Sequence, residues 1–218
     1  MAVESKTRKK APKFRRRAAE RPDEVLDAAL ALFSERGFAQ TRVEEIAAQA
    51  GLSKAAVYLY FPSKQALLQG LVHRAVSAVA EEAIQRMEGW RGDPRPAFAM
   101  ILKAMTGRLA DPQVAAVPAL ILREAIHAPE IATLYREEVL DRVLPALTRL
   151  IAQGVEGGHI RAVDPELTVR SVVGPVLVHL MLALVFGIMP EDGLAMDRLI
   201  DNHLSILNAG LAPGKGVA

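Results

Sequence analysis

The chain contains no cysteine, which excludes disulfides and thiolate-held metals and suits a reducing cytoplasm. Aromatic residues are scarce, at 5%. Alanine, leucine and valine dominate the apolar positions instead, a balance that favours helix over sheet. The five histidines, His73, His127, His159, His179 and His203, form no close pair and have no acidic cluster at ligand spacing. No metal site is therefore expected. A glycine-rich phosphate loop is also missing, and no nucleophile and base stand together, so neither a cofactor nor catalysis is expected. Long apolar runs are absent except for Val172 to Met189, which Gly174, Pro175, His179 and Gly187 interrupt. That stretch reads as a packed helix and not as a membrane span. The basic N-terminal stretch lacks the apolar centre of an export signal, and the expected location is the cytoplasm.

What is present is a chain of 218 residues, 51% hydrophobic and 24% charged, long enough to bury a sizeable core without covalent staples. The net charge of +2 is unevenly spread. Residues 1–64 carry thirteen Lys and Arg against eight Asp and Glu, and the excess lies entirely in the first twenty-one residues. Residues 1–20, dense in like charge and without hydrophobic periodicity, are expected to be a disordered basic arm. A first helix is expected from about Pro22, with Val25, Ala28, Ala29, Leu32 and Phe33 as its inner stripe and Gly37 as its stop. Thr41-Arg42-Val43-Glu44 has the spacing of a capping box and predicts a short helix near Val43. Gly51 ends it, Ser53 caps a third helix at Lys54, and Pro62 and Ser63 mark the change to a long fourth helix through about Glu88.

Two short helices joined by Ala50-Gly51-Leu52-Ser53 make a helix-turn-helix, whose second helix enters the DNA major groove while the first crosses the backbone. Val57 and Phe61 are spaced to anchor the second helix inward. Ser53, Lys54, Ala55, Ala56, Tyr58 and Tyr60 are left on or near the outer side, with Thr41 and Arg42 at the start of the preceding helix and Lys64 in the next. These nine are the candidate contacts to double-stranded DNA, the tyrosines and Lys64 through phosphates.

Thr41-Arg42-Val43-Glu44-Glu45-Ile46-Ala47, followed by Ala50-Gly51-Leu52-Ser53-Lys54-Ala55-Ala56-Val57-Tyr58-Leu59-Tyr60-Phe61-Pro62-Ser63-Lys64, resembles the TetR family of regulators over about residues 22 to 70. Ala55 departs from the pattern, because many members have glycine there. The resemblance implies a ligand-responsive repressor with a helix-turn-helix domain at residues 21–68. It also implies a ligand-binding and dimerisation domain at residues 69–218, paired as a homodimer through its last two large helices and released from a palindromic operator by a small apolar effector. A DNA-binding architectural protein without an effector, or a helical enzyme or carrier that keeps the motif, are the alternatives.

Gly89 to Pro96 holds two glycines and two prolines and marks the domain boundary. Five further helices are expected beyond it, roughly 96–110, 112–127, 129–153, 165–188 and 194–210, giving an all-α fold of about nine helices. Pro118, Pro145 and Pro175 fall within these patterns as kinks or as breaks. Candidate effector contacts are Phe98, Ile101 and Met105 as apolar lining and Arg123, His127, Tyr135 and His179 as polar groups. Glu124 is a further polar group expected to point inward, and for Arg123 and Glu124 the alternative is a plain surface charge. The helix from Pro165 and the final helix carry more apolar surface than one chain can cover. Val176, Leu180, Leu184, Leu199, Ile200, His203, Leu204 and Leu207 are the candidates for the face shared with a partner subunit.

Overall fold

The structure, a computed structural model, describes residues 13–109 and 112–213. Among these residues the chain forms nine continuous helices and no strand. They are α1 (Lys13–Arg36), α2 (Val43–Gln49), α3 (Lys54–Tyr60), α4 (Lys64–Val72, continuing through the π-helical turn His73–Ser77 into Ala78–Glu88) and α5 (Arg95–Gly107). The rest are α6 (Pro112–Glu124), α7 (Pro129–Tyr135, through the π-helical turn Arg136–Leu140 into Asp141–Glu156), α8 (Pro165–Leu184) and α9 (Met196–Leu211).

The local signals act directly at several helix ends. The Ser53 hydroxyl accepts from the Ala56 amide at 3.1 Å and Ser63 accepts from Ala66 at 3.0 Å, each satisfying a donor the helix start leaves free. Asp164 does the same for Leu167, with Pro165 in the first turn of α8. Gly51 takes φ +67° in the turn between α2 and α3, a conformation open to glycine at little steric cost.

Several boundaries differ from expectation: α6 ends at Glu124 and α8 at Leu184, three and four residues short, and two helix starts also move. Helix α1 begins at Lys13 and contains Pro22, so Lys13–Glu20 of the expected arm are helical; the run Arg15-Arg16-Arg17-Ala18-Ala19 has enough helix propensity to extend the helix beyond the proline. The rest of the expected arm, residues 1–12, lies outside the described residues. The box at α2 starts one residue later than the spacing predicts. Arg42 is its N-cap, and the Glu45 carboxylate accepts from the Arg42 amide at 2.9 Å.

The buried apolar residues form one contiguous cluster across both halves of the chain. In the N-terminal half Val25, Ala29 and Phe33 of α1 pack with Ile46, Val57, Leu67 and Leu71, and Phe33 and Phe38 meet with ring centroids 5.1 Å apart. In the C-terminal half Phe98, Ile101, Leu102, Leu120, Ile131, Leu147 and Ile151 are almost entirely enclosed. Pro118, Pro145 and Pro175 all lie inside continuous helices. The π-helical turn Arg136–Leu140 of α7 ends beside Asp141, whose carbonyl Pro145 leaves without its helical donor. Among the described residues α8 is the one helix long and apolar enough to cross a membrane. Its Val169, Val172, Val176, Leu180 and Ala183 are packed inside the fold.

Candidate DNA-reading site

Helix α3 is seated by Val57, which is fully buried, and by the half-buried Phe61 just beyond it. That anchoring turns Ser53, Lys54, Ala55, Tyr58 and Leu59 outward, while Ala56 and Tyr60 are half-buried at the margins. Leu59, absent from the sequence-based candidates, is 85% exposed. Its position two residues after the buried Val57 was the available signal, since a helix rotates such a residue well away from its anchor. Lys54 pairs with the Glu44 carboxylate of α2 and lies 5.5 Å from the Tyr58 ring centroid. The hydrogen bond between them lowers the Glu44 pKa and raises that of Lys54. Both side chains are about half exposed, so salt and phosphate compete for this contact.

Two expected contacts have other work. Thr41 is 2% exposed, and its hydroxyl reaches the carbonyls of Gly37 at 2.8 Å and Leu32 at 3.3 Å, so it closes the end of α1 instead of facing DNA. The Lys64 ammonium donates to the carbonyls of Phe38 at 2.8 Å, Ala39 at 3.2 Å and Thr41 at 3.2 Å, and it sits 4.5 Å from the Phe38 ring centroid. Its burial pushes its pKa down, against an opposing attraction from Glu130. Lys64 is thus a clasp on the α1–α2 loop and not a free charge at the surface. Arg42 remains exposed at the head of α2.

The reading head is fastened to the rest of the molecule by polar contacts on two helices. Arg74 of α4 bridges to Asp27 at 2.8 Å and Asp23 at 3.5 Å on α1. At the end of α6 the Glu124 carboxylate accepts from the Phe38 amide at 3.0 Å, and the Arg123 guanidinium reaches the Ser34 carbonyl at 3.4 Å. Glu124 is therefore no idle surface charge. Along α4, Gln69 donates to Glu138 at 2.7 Å and Glu81 accepts from Arg142 at 3.1 Å, tying this connecting helix to α7.

The expected effector residues are not brought to one place. Phe98 and Ile101 are closed into the core and Met105 packs against it. Arg123 is spent on α1, and His127 is exposed in the turn after α6. Neither takes the inward position expected of it: Arg123 lies on the exposed side of the last helical turn, and His127 falls beyond the helix end at Glu124, where the periodicity no longer holds. Tyr135 is largely enclosed, and burial raises the pKa of its phenol. The His179 ring bonds the Leu194 carbonyl at 2.7 Å, holding the loop after α8. None of these seven lines the described cavities of about 530, 280 and 300 Å³.

The residues expected at a partner face mostly turn inward. Val176, Leu180, Ile200, His203, Leu204 and Leu207 point into their own protomer, Leu184 and Leu199 are half-buried, and the His203 ring bonds the Val172 carbonyl at 3.0 Å to join α9 to α8. The open apolar residues are instead Leu167, Leu177, Val178 and Met181 of α8, Val185, Phe186, Ile188 and Met189 after it, and Ile206 of α9. The cavity of about 530 Å³ runs between α8 and α9, with Ser171, Pro175, Asn202 and Ile206 along it.

Two family models match the chain: "Bacterial regulatory proteins, tetR family" over residues 25–71 and "Tetracyclin repressor-like, C-terminal domain" over residues 91–201. The chain is 27% identical over 158 residues to the fatty acid metabolism regulator protein of Bacillus subtilis, covering 70% of this chain and 78% of that one. It is 45% identical over 49 residues to the Bacillus subtilis transcriptional regulators YerO and YuxN, a match to 22% of this chain that spans only 17% of each relative's length. Among solved structures, the triclosan complex of SmeT, a Stenotrophomonas maltophilia repressor, superposes with a TM-score of 0.75 at 23% identity, covering 91% of this chain and 94% of that one. Bacillus subtilis FadR with stearoyl-CoA gives 0.70 at 22% identity, covering 87% and 98%.

Proposed function

Because the chain belongs to the tetR family of bacterial regulatory proteins, we propose that it is a homodimeric repressor that binds twofold-symmetric operator DNA and lets go when a small apolar molecule enters its C-terminal domain. The observation that carries this reading is the outer face of α3, where Ser53, Lys54, Ala55, Tyr58 and Leu59 stand clear of a helix fixed by the buried Val57. In the major groove, Ala55 and Leu59 offer apolar contacts suited to thymine methyl groups. Arg42, Ser53, Lys54, Tyr58 and Tyr60 offer hydrogen bonds to phosphates or base edges, and Ala56 lets the helix approach closely.

Pairing of two copies is supported by the open apolar residues of α8 and α9, which two twofold-related protomers would cover mutually. The two copies of α3 must then match half-sites about one turn of DNA apart, roughly 34–36 Å. Helix α4 reaches from the reading head to α7 and sets that spacing. Among the described residues the only fully buried polar side chains of the C-terminal half are Ser77, Thr106 and His203, an interior that accepts an uncharged, largely apolar effector more readily than an ion. Weakening operator binding ten- to hundredfold needs a coupling of only about 1.4–2.8 kcal/mol between the two sites.

The experiment is selection of bound fragments from a random DNA pool, followed by footprinting and sedimentation of the purified protein. A palindromic site and a dimer are expected. A protein that stays monomeric, or that prefers no symmetric sequence over bulk competitor, would overturn the proposal.

A further inference from the structure

The loop between α1 and α2 decides how α2 and α3 sit on the body of the molecule, and one residue of that loop is gripped from two sides. The Phe38 ring is buried beneath the Lys64 ammonium. Its carbonyl accepts from Lys64 of α4 at 2.8 Å, while its amide donates to the Glu124 carboxylate of α6 at 3.0 Å. The fit on the α6 side is close. A side chain on Gly37 would place its first carbon 3.2 Å from a Glu124 oxygen, and Gly37 itself holds φ +83°. A carboxylate accepting from a backbone amide across 86 positions of sequence is a tertiary contact. It is charge-assisted, stronger than a neutral hydrogen bond and sharply dependent on distance.

We infer that Glu124 is a positioning residue for operator binding, a latch by which α6 holds the α1–α2 loop, and with it the reading head, in the orientation that fits DNA. This inference rests on the operator-binding reading above. Helix α6 packs against both α1 and α8, so it connects the base of the head to a helix that carries part of the face proposed for pairing. A shift of its end by about 0.6 Å carries the contact from 3.0 Å to beyond hydrogen-bond length. The head would then rest on α4, where Lys64 and Arg74 keep their partners on the loop and on α1, and on the longer Arg123 contact with the Ser34 carbonyl at 3.4 Å.

The test uses the full chain and the operator selected from the random pool. Glu124→Gln keeps a carbonyl acceptor for the Phe38 amide, whereas Glu124→Leu fills similar space without one. The Leu variant is expected to bind operator about tenfold more weakly, within the range of interdomain coupling. The Gln variant should stay within about twofold of the parent, since it retains the bond without its charge. Amide hydrogen exchange at Phe38 should accelerate in the Leu variant alone, and in the unmodified protein it should slow when operator is bound. Parent-like operator affinity in the Leu variant would overturn the latch, as would equal losses in both variants or Phe38 exchange indifferent to operator. Failure of the parent protein to select any symmetric DNA would instead overturn the operator reading itself, so the two failures are distinguishable.

Discussion

Replacing Lys64 with methionine separates a structural clasp from a DNA contact. The ammonium has three donors, and the carbonyls of Phe38, Ala39 and Thr41 take them at 2.8, 3.2 and 3.2 Å. A hydrogen bond to a charged group contributes about 1.5–3 kcal/mol, but three on one ammonium are not additive, and water can reach some of the freed carbonyls. The contact over the Phe38 ring adds about 0.5–1 kcal/mol. Against this, methionine does not have to be desolvated as a cation and keeps most of the packing of the stem. A net loss of about 2–3 kcal/mol follows, which for a chain of this size lowers the melting temperature by roughly 5–10 °C. Thermal unfolding followed by circular dichroism reads it directly, alongside operator affinity measured well below the transition. A melting temperature within about 1 °C of the parent, combined with a uniform loss of affinity for every DNA sequence, would refute the clasp and make Lys64 a phosphate contact.

Three further outcomes are expected. Gly51→Ala should cost about 1 kcal/mol, because φ is +67° there while nothing lies within 4 Å of the added carbon; a loss above about 3 kcal/mol in urea unfolding would mean that more than backbone strain is involved. Ile206→Glu, at a position 63% exposed in the single chain, should leave the protomer folded but weaken dimerisation about a hundredfold by burying like charges across a twofold axis. Sedimentation unchanged at every concentration would place the pairing face elsewhere. Asp93, whose carboxylate grips the Arg95 guanidinium and caps its amide, has a lowered pKa chiefly through the Arg95 side-chain hydrogen bond. Its contribution to stability is therefore complete above the ordinary carboxylate value of 3.8 and is lost as pH falls through the lower native value. The difference in urea midpoint between the parent and Asp93→Asn should hold near neutrality and shrink in acid; a difference that grows in acid would contradict the assignment.

Helix ends and inner stripes were legible because their causes are local. Ser53, Ser63, Asp164 and Gly51 act within a few residues of themselves, and Val25, Ala29 and Phe33 recur at the period of a helix. The roles of Thr41, Lys64 and Glu124 were not legible, since each depends on carbonyls or amides brought near only by the tertiary fold. For α8 the difficulty is different. It is apolar on nearly every side, so periodicity finds no single inner face and cannot distinguish Val176, which faces the protomer's own core, from Val178, which faces out. The effector candidates that the structure does not bring together share that origin. A stripe such as Phe98, Ile101 and Met105 reads the same whether it lines a cavity or fills a core.

The open setting of Ala55 and Leu59 bears on how such a molecule changes over generations. Both face outward, Leu59 with 85% of its surface exposed, so substitutions there disturb no packing and are nearly free of stability cost. Under the proposed operator-binding reading, a duplicated copy could thus drift to a new operator through one or two codon changes on α3 while the clasp, the core and the proposed pairing surface are inherited intact.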